Sequence, residues 1–128
     1  MQKRLVRKGL VLGIIVLFVG IGIVPGSSIK DRNRDYIVFS TADSGNGTLR
    51  QCMLNATSGD TIYFDTAVFP PGSPATITIS SSLPQINQGD LTIDVSNAGV
   101  ILNGSGTPGG THGFHITSDG NTIKGMQI

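Results

Sequence analysis

Apolar residues are distributed along the chain in three different patterns. Residues 9–24 (GLVLGIIVLFVGIGIV) form one unbroken apolar run, preceded by Lys3, Arg4, Arg7 and Lys8 and ended by Pro25-Gly26-Ser27-Ser28. In residues 48–56 (TLRQCMLNA), Leu49, Cys52, Met53 and Ala56 recur at i, i+3, i+4 and i+7, one face of a helix. Thr48 with Gln51 has the form of a capping box at the start of that helix. Elsewhere the apolar runs are short and rich in β-branched residues. They predict strands at 36–40 (YIVFS), 61–64 (TIYF), 76–79 (TITI), 91–94 (LTID), 100–104 (VILNG), 114–116 (FHI), 122–124 (TIK) and 126–128 (MQI). Gly, Pro, Asn, Ser and Asp separate them, as turns require.

These strands repeat. Ile77 and Ile79 match Val100 and Leu102 at an offset of 23, Leu91 and Ile93 match Phe114 and Ile116 at the same offset, and Ile101 matches Ile123 at 22. A period of 22 or 23 residues with two or three short strands predicts one coil of a parallel β-helix, in which each coil buries its inward residues against the next. Asn103 and Asn121 are candidates to bond along the stack from a turn, with ordinary turn residues as the alternative. Ile123 and Ile128 are expected to point inward. The pattern stops in mid-coil at residue 128, so the solenoid is expected to be incomplete and truncated at its C-terminus.

The basic start and apolar run of residues 1–28 have the layout of a secretory signal peptide or an uncleaved signal anchor. At helical rise the run reaches roughly 24 Å, short of a hydrocarbon core of about 30 Å. Either form places the rest of the chain outside the cytoplasm, extracellular or at the cell surface, with membrane contact through residues 9–24 if the signal is retained. Residues 29–35 (IKDRNRD) read as a spacer and residues 36–128 as the β-helix domain. Three sequons, at Asn46, Asn55 and Asn103, suit an exported chain.

Composition sharpens this picture. The formal charge of +1 comes from the N-terminus, since from Tyr36 onward two bases (Arg50, Lys124) face six aspartates. There is no glutamate, which disfavours long surface helices. No basic patch is interleaved with aromatics, so nucleic acid is excluded as a partner. A single cysteine, Cys52, forms no internal disulfide and falls on the apolar helix face, where a buried structural thiol is expected.

With these elements in place, the sequence resembles the start of right-handed parallel β-helix proteins with a pectate-lyase-like fold. Gly47, Thr48, Leu49, Arg50, Gln51 and Ala56 fit that family's G-[ST]-L-R-[QE]-A-[IL]-x-x-A segment, with Cys52 where Ala is usual. Asp60, Thr61, Ile62 and Phe64 fit G-x-D-T-I-x-F; Leu83, Pro84 and Ile86 fit the L-P-x-I piece; and Asp90 to Asp94 fit D-L-T-I-D, with Val95 in place of Gly. The resemblance covers about residues 37–128. It implies a mainly β, right-handed parallel β-helix with an N-terminal amphipathic capping helix at residues 48–56, beside the separate hydrophobic signal or anchor helix. The capping helix covers the otherwise open apolar end of the first coil.

No catalytic, cofactor-binding or metal-binding constellation is legible. His112 and His115 read as surface residues, because a metal site needs further ligands and only Asp119 is close in sequence. Asp94 and Asp119 on neighbouring coils offer oxygen ligands for Ca²⁺, with turn-forming aspartates as the alternative. A lyase of this fold needs carboxylate-bound Ca²⁺ and a basic residue, and beyond Arg50 only Lys124 remains. A hydrolase needs carboxylates on one face, which Asp90 and Asp94 share only along an unbroken strand. Gly104-Ser105-Gly106 and Gly109-Gly110 lack the strand-to-helix context of a phosphate loop. The expected function is that of an exported or cell-surface β-helix, structural, adhesive or in contact with polysaccharide. The alternative is the N-terminal part of a polysaccharide lyase or glycoside hydrolase whose active site lies on later coils.

Overall fold

Every strand pairing in the structure is parallel. The computed structural model describes residues 33–128, and Asn33–Ile128 form one compact unit. Its elements are β1 (Asp35–Val38), α1 (Leu49–Asn55), β2 (Thr61–Phe64), β3 (Ala75–Thr78), β4 (Thr92–Asp94), β5 (Val100–Asn103) and β6 (Thr122–Lys124). One sheet runs β1-β2-β4-β6 and a second pairs β3 with β5. A bridge from Ile101 to Gln127 extends the second sheet, and a bridge from Ile86 to Ile116 marks a third face. The chain thus visits the same faces in the same order on successive turns, which makes this a parallel β-solenoid of the right-handed β-helix kind.

The register corrects the predicted period. Asp35 pairs with Thr61, Thr61 with Thr92 and Thr92 with Thr122, so coils on the first sheet are 26, 31 and 30 residues apart. On the second sheet Ala75 pairs with Val100, 25 apart. The offset of 23 aligned residues of like orientation but wrong register. It set Ile77 against Val100, whereas Ile77 lies beside Leu102, and it equated β4 with residues 114–116, which belong to the third face. The predicted strands at 114–116 and 126–128 shrink to single bridges at Ile116 and Gln127.

The expected fold class also needs correction. The described residues carry one short helix, and no helix among them is long and apolar enough to cross a membrane. The separate signal or anchor helix assigned to residues 1–28, together with most of the spacer, lies outside the described residues.

Inward residues form columns along the solenoid axis. Ile62, Ile93 and Ile123 occupy one register position, and Ile77 lies beside Leu102 on the second sheet. Phe64 and Phe69 meet edge to face at 5.3 Å in the same core, the arrangement favoured by ring quadrupoles. The helix closes one end of this core. Thr48 caps it, its hydroxyl accepting from Gln51 N–H at 3.2 Å, while Leu49, Cys52 and Met53 are buried. Only half of the capping box forms, since Thr48 N–H donates to the Gly45 carbonyl rather than to Gln51, whose amide donates to Asn55. Tyr36 Oη donates to the Asn55 carbonyl and Gln88 donates to the Ala56 carbonyl, tying the helix end to β1 and to the coil above.

One corner of the solenoid is held by polar side chains. Asp60, just before β2, is fully buried and accepts from Arg34 N–H, one coil back, and from Thr57 N–H and Oγ1. Asn121, just before β6, accepts from Leu91 N–H, again one coil back, and donates to Ser118. Asn121 therefore bonds along the stack as one of the two sequence alternatives supposed, but to backbone rather than to another Asn. Asn103 takes the other alternative, closing a local turn on Ser105 N–H.

Candidate functional site

The outward surface of the four-stranded sheet is the most regular exposed feature of the described residues. Side chains alternate in and out along each strand, so the parallel register stacks the outward ones into rows. One row holds Asp35, Thr61, Thr92 and Thr122. The next holds Ile37 and Tyr63, paired across β1 and β2, and Asp94 and Lys124, paired across β4 and β6. Continuing the β2–β4 register by one residue places Tyr63 beside Asp94. Ile37 and Tyr63 are 47% and 37% exposed, although the opposite faces of their strands carry the buried Val38, Ile62 and Phe64 and the half-buried Tyr36. The surface is thus a strip of apolar and aromatic groups alongside a row of threonines, with an ion pair at one end.

That ion pair joins Lys124 Nζ to Asp94 Oδ2 at 3.1 Å. Asp94 Oδ1 also accepts from Ser96 N–H and Oγ. These Ser96 hydrogen bonds, and then Lys124, hold the Asp94 carboxyl below its ordinary range. Lys124 is therefore engaged with a charged aspartate.

The other candidates from the sequence do not come together. Asp94 faces Lys124, whereas the backbone of Asp119 lies against Gly89 and Asp90, so the proposed Ca²⁺ pair is not assembled. Asp90 sits at φ 53°, in a turn ahead of β4, so it shares no strand face with Asp94. Arg50 is structural: its guanidinium bonds Asp43 at 2.7 Å and the carbonyls of Ser82 and Ser81 at 2.6 and 3.1 Å. Asp43 also accepts from Ser80 N–H and Oγ. Burial works to raise the Asp43 carboxyl, but the Ser80 and Arg50 bonds outweigh it and hold the group low. Cys52 is buried, and burial pushes its thiol up. His112 and His115 are exposed, with ring centres 5.0 Å apart. Among the described residues no group of three or more His, Cys, Asp or Glu gathers in a metal-binding arrangement.

An open cavity lies over the second sheet, lined by Ile79, Leu102, Thr107, Thr111 and Ile128. At about 120 Å³ it falls below the roughly 300–1,000 Å³ of small-molecule sites. Ile128 follows Gln127, the partner of Ile101, and so takes the inward position of Leu102, but it is 85% exposed, while Ile123 is half-buried against the core.

The outward strip escaped sequence reasoning because Ile37 and Tyr63 read as ordinary strand residues. The signal was present in the alternation: both share parity with the polar Asp35 and Thr61, not with the core residues Val38 and Ile62. Comparison with protein-family models, curated proteins and solved structures found no match to this chain.

Proposed function

We infer that this β-solenoid is a non-catalytic module that contacts polysaccharide through the outer face of its four-stranded sheet. The observation that carries this is the exposed Ile37–Tyr63 strip beside the threonine row. Sugar rings present apolar C–H faces and hydroxyl edges. An aromatic ring with adjacent hydroxyls matches both, because tyrosine supplies a large apolar area with a polar tip. An open, flat strip also suits an extended chain better than a closed pocket suits a monosaccharide. The resemblance of residues 37–128 to carbohydrate-active β-helices supports the same choice of ligand. Location outside the cytoplasm belongs to this proposal, supported in sequence by the basic and then apolar order of residues 3–24.

Affinity electrophoresis of the chain in gels containing soluble neutral and acidic polysaccharides tests it. Retardation by at least one polysaccharide is expected, with Tyr63→Ala weakening it about tenfold, equivalent to ~1.4 kcal/mol. Tyr63→Phe retains most of the binding. No new reducing ends or unsaturated products are expected from the bound polysaccharide. Equal retardation of wild type and Tyr63→Ala, or accumulation of cleavage products, contradicts the proposal.

A further inference from the structure

We propose that His112 and His115 together form a surface site for one divalent first-row transition metal of the imidazole-preferring kind, such as Zn²⁺ or Ni²⁺. The first observation is their spacing. With metal–nitrogen bonds of about 2.0–2.1 Å, two imidazoles on one ion at angles from right to tetrahedral have ring centres roughly 4.5–5.5 Å apart. The observed separation is 5.0 Å.

The second observation is the tilt. The rings stand at 51°, neither stacked nor perpendicular. Ring pairs held by their own attraction prefer offset-stacked or edge-to-face geometries, as Phe64 and Phe69 show at 89°. The two imidazoles are close without being arranged for each other.

The third is the support beneath them. His112 N–H donates to Ser82 Oγ at 3.1 Å, and the His115 carbonyl accepts from Ile86 N–H at 2.9 Å. Both backbones are pinned to the preceding coil, so little ordering is needed to bring the rings onto one ion. Pre-organisation of this kind is what a two-ligand site requires to bind measurably. The remaining coordination positions face solvent and are filled by water.

Arg50 bonds the carbonyl of the same Ser82, but its guanidinium is paired with Asp43 at 2.7 Å. Imidazole nitrogen suits Zn²⁺, Cu²⁺ and Ni²⁺, and the absence of a gathered carboxylate argues against Ca²⁺ or Mg²⁺ here.

The test is calorimetric titration of the tag-free full chain with Zn²⁺ and, separately, Ni²⁺. His112→Asn, His115→Asn and the double variant are run in parallel, each checked for an unchanged circular dichroism spectrum. Both side chains are exposed, so the variants are expected to fold. One saturable site per chain is expected, weakened at least about tenfold by either single substitution and removed in the double variant. Three outcomes overturn the proposal: no saturable binding up to millimolar metal, a site that persists in the double variant, or sensitivity to only one of the two histidines.

Discussion

At the scale of single residues, the corner before each strand of the first sheet shows how sparingly this fold uses polar side chains. Asp60 is shut off from solvent with no basic side chain among the described residues bonded to it, yet three donors converge on its two oxygens. Burial works to raise its carboxyl, and the Thr57 and Arg34 hydrogen bonds outweigh that and hold it below its ordinary value of 3.8. A carboxyl depressed on folding contributes stability above its ordinary value and loses that contribution as pH falls through the depressed one. Asp60→Asn keeps one acceptor but turns an amide toward Thr57. It is expected to cost about 1–3 kcal/mol at neutral pH, with the gap to wild type narrowing below pH 3.8. Urea unfolding at pH 7 and pH 3 measures both. The neighbouring position carries a second rule. Gly59, Asp90 and Gly120 hold it in successive coils, all left-handed, with φ of 89°, 53° and 77°. The Asp90 carboxyl lies where a Gly120 side chain would go, so Gly120→Ala combines backbone strain with a clash and is expected to destabilise. Asp90→Gly relieves a left-handed non-glycine residue, a conformation disfavoured by about 1–2 kcal/mol, offset by glycine's greater chain entropy. An unchanged or raised melting temperature is expected, and a clear fall would show that the carboxylate has a structural role.

At the scale of elements, the helix and the strands differ in how legible they were. The helix was readable because Leu49, Cys52 and Met53 carry its period locally, and all three are buried. The strands at 61–64 and 122–124 were readable because each alternates within itself. The coil period was not, because register is a relation between strands far apart in sequence. Turns that differ in length, with coils of 25 residues on one sheet and 26, 31 and 30 on the other, leave many offsets that match inward with inward. The clasp on the helix was equally hidden, since Arg50 reaches Ser81 and Ser82 only once the first coil has closed over it. That clasp and the Asp94–Lys124 pair make a comparison. Arg50 and Asp43 have side chains 16% and 22% exposed, and the guanidinium serves two carbonyls as well, whereas Lys124 is 52% exposed. Arg50→Ala is expected to cost about 1.5–3 kcal/mol, the range of hydrogen bonds to charged groups, and to change little with salt. Lys124→Ala is expected to cost at most about 1 kcal/mol, screened at high ionic strength. Chemical denaturation of both variants at low and high NaCl separates the two.

At the scale of the whole molecule, a solenoid distributes stability along one dimension, because each coil rests only on its neighbours. The isoleucine column shows the consequence directly. Ile62, between Tyr36 and Ile93, and Ile93, between Ile62 and Ile123, are fully buried, while Ile123 is half-buried. The same methyl groups therefore differ in worth by position. Ile62→Ala and Ile93→Ala are each expected to cost about 2–5 kcal/mol, with the cavity retained inside the stack. Ile123→Ala, with less apolar area to lose, falls below that range. Backbone protection should follow the same gradient, since local opening draws on the least buried units first. Amides of β2 and β4 are expected to exchange slowest, and those of β6 and the Gln127 bridge fastest. Hydrogen exchange read by mass spectrometry on the full chain resolves this order. Uniform protection from β2 to β6 would mean that the coils open as one cooperative body, and that the helix at one end stabilises the entire stack rather than the coil it covers.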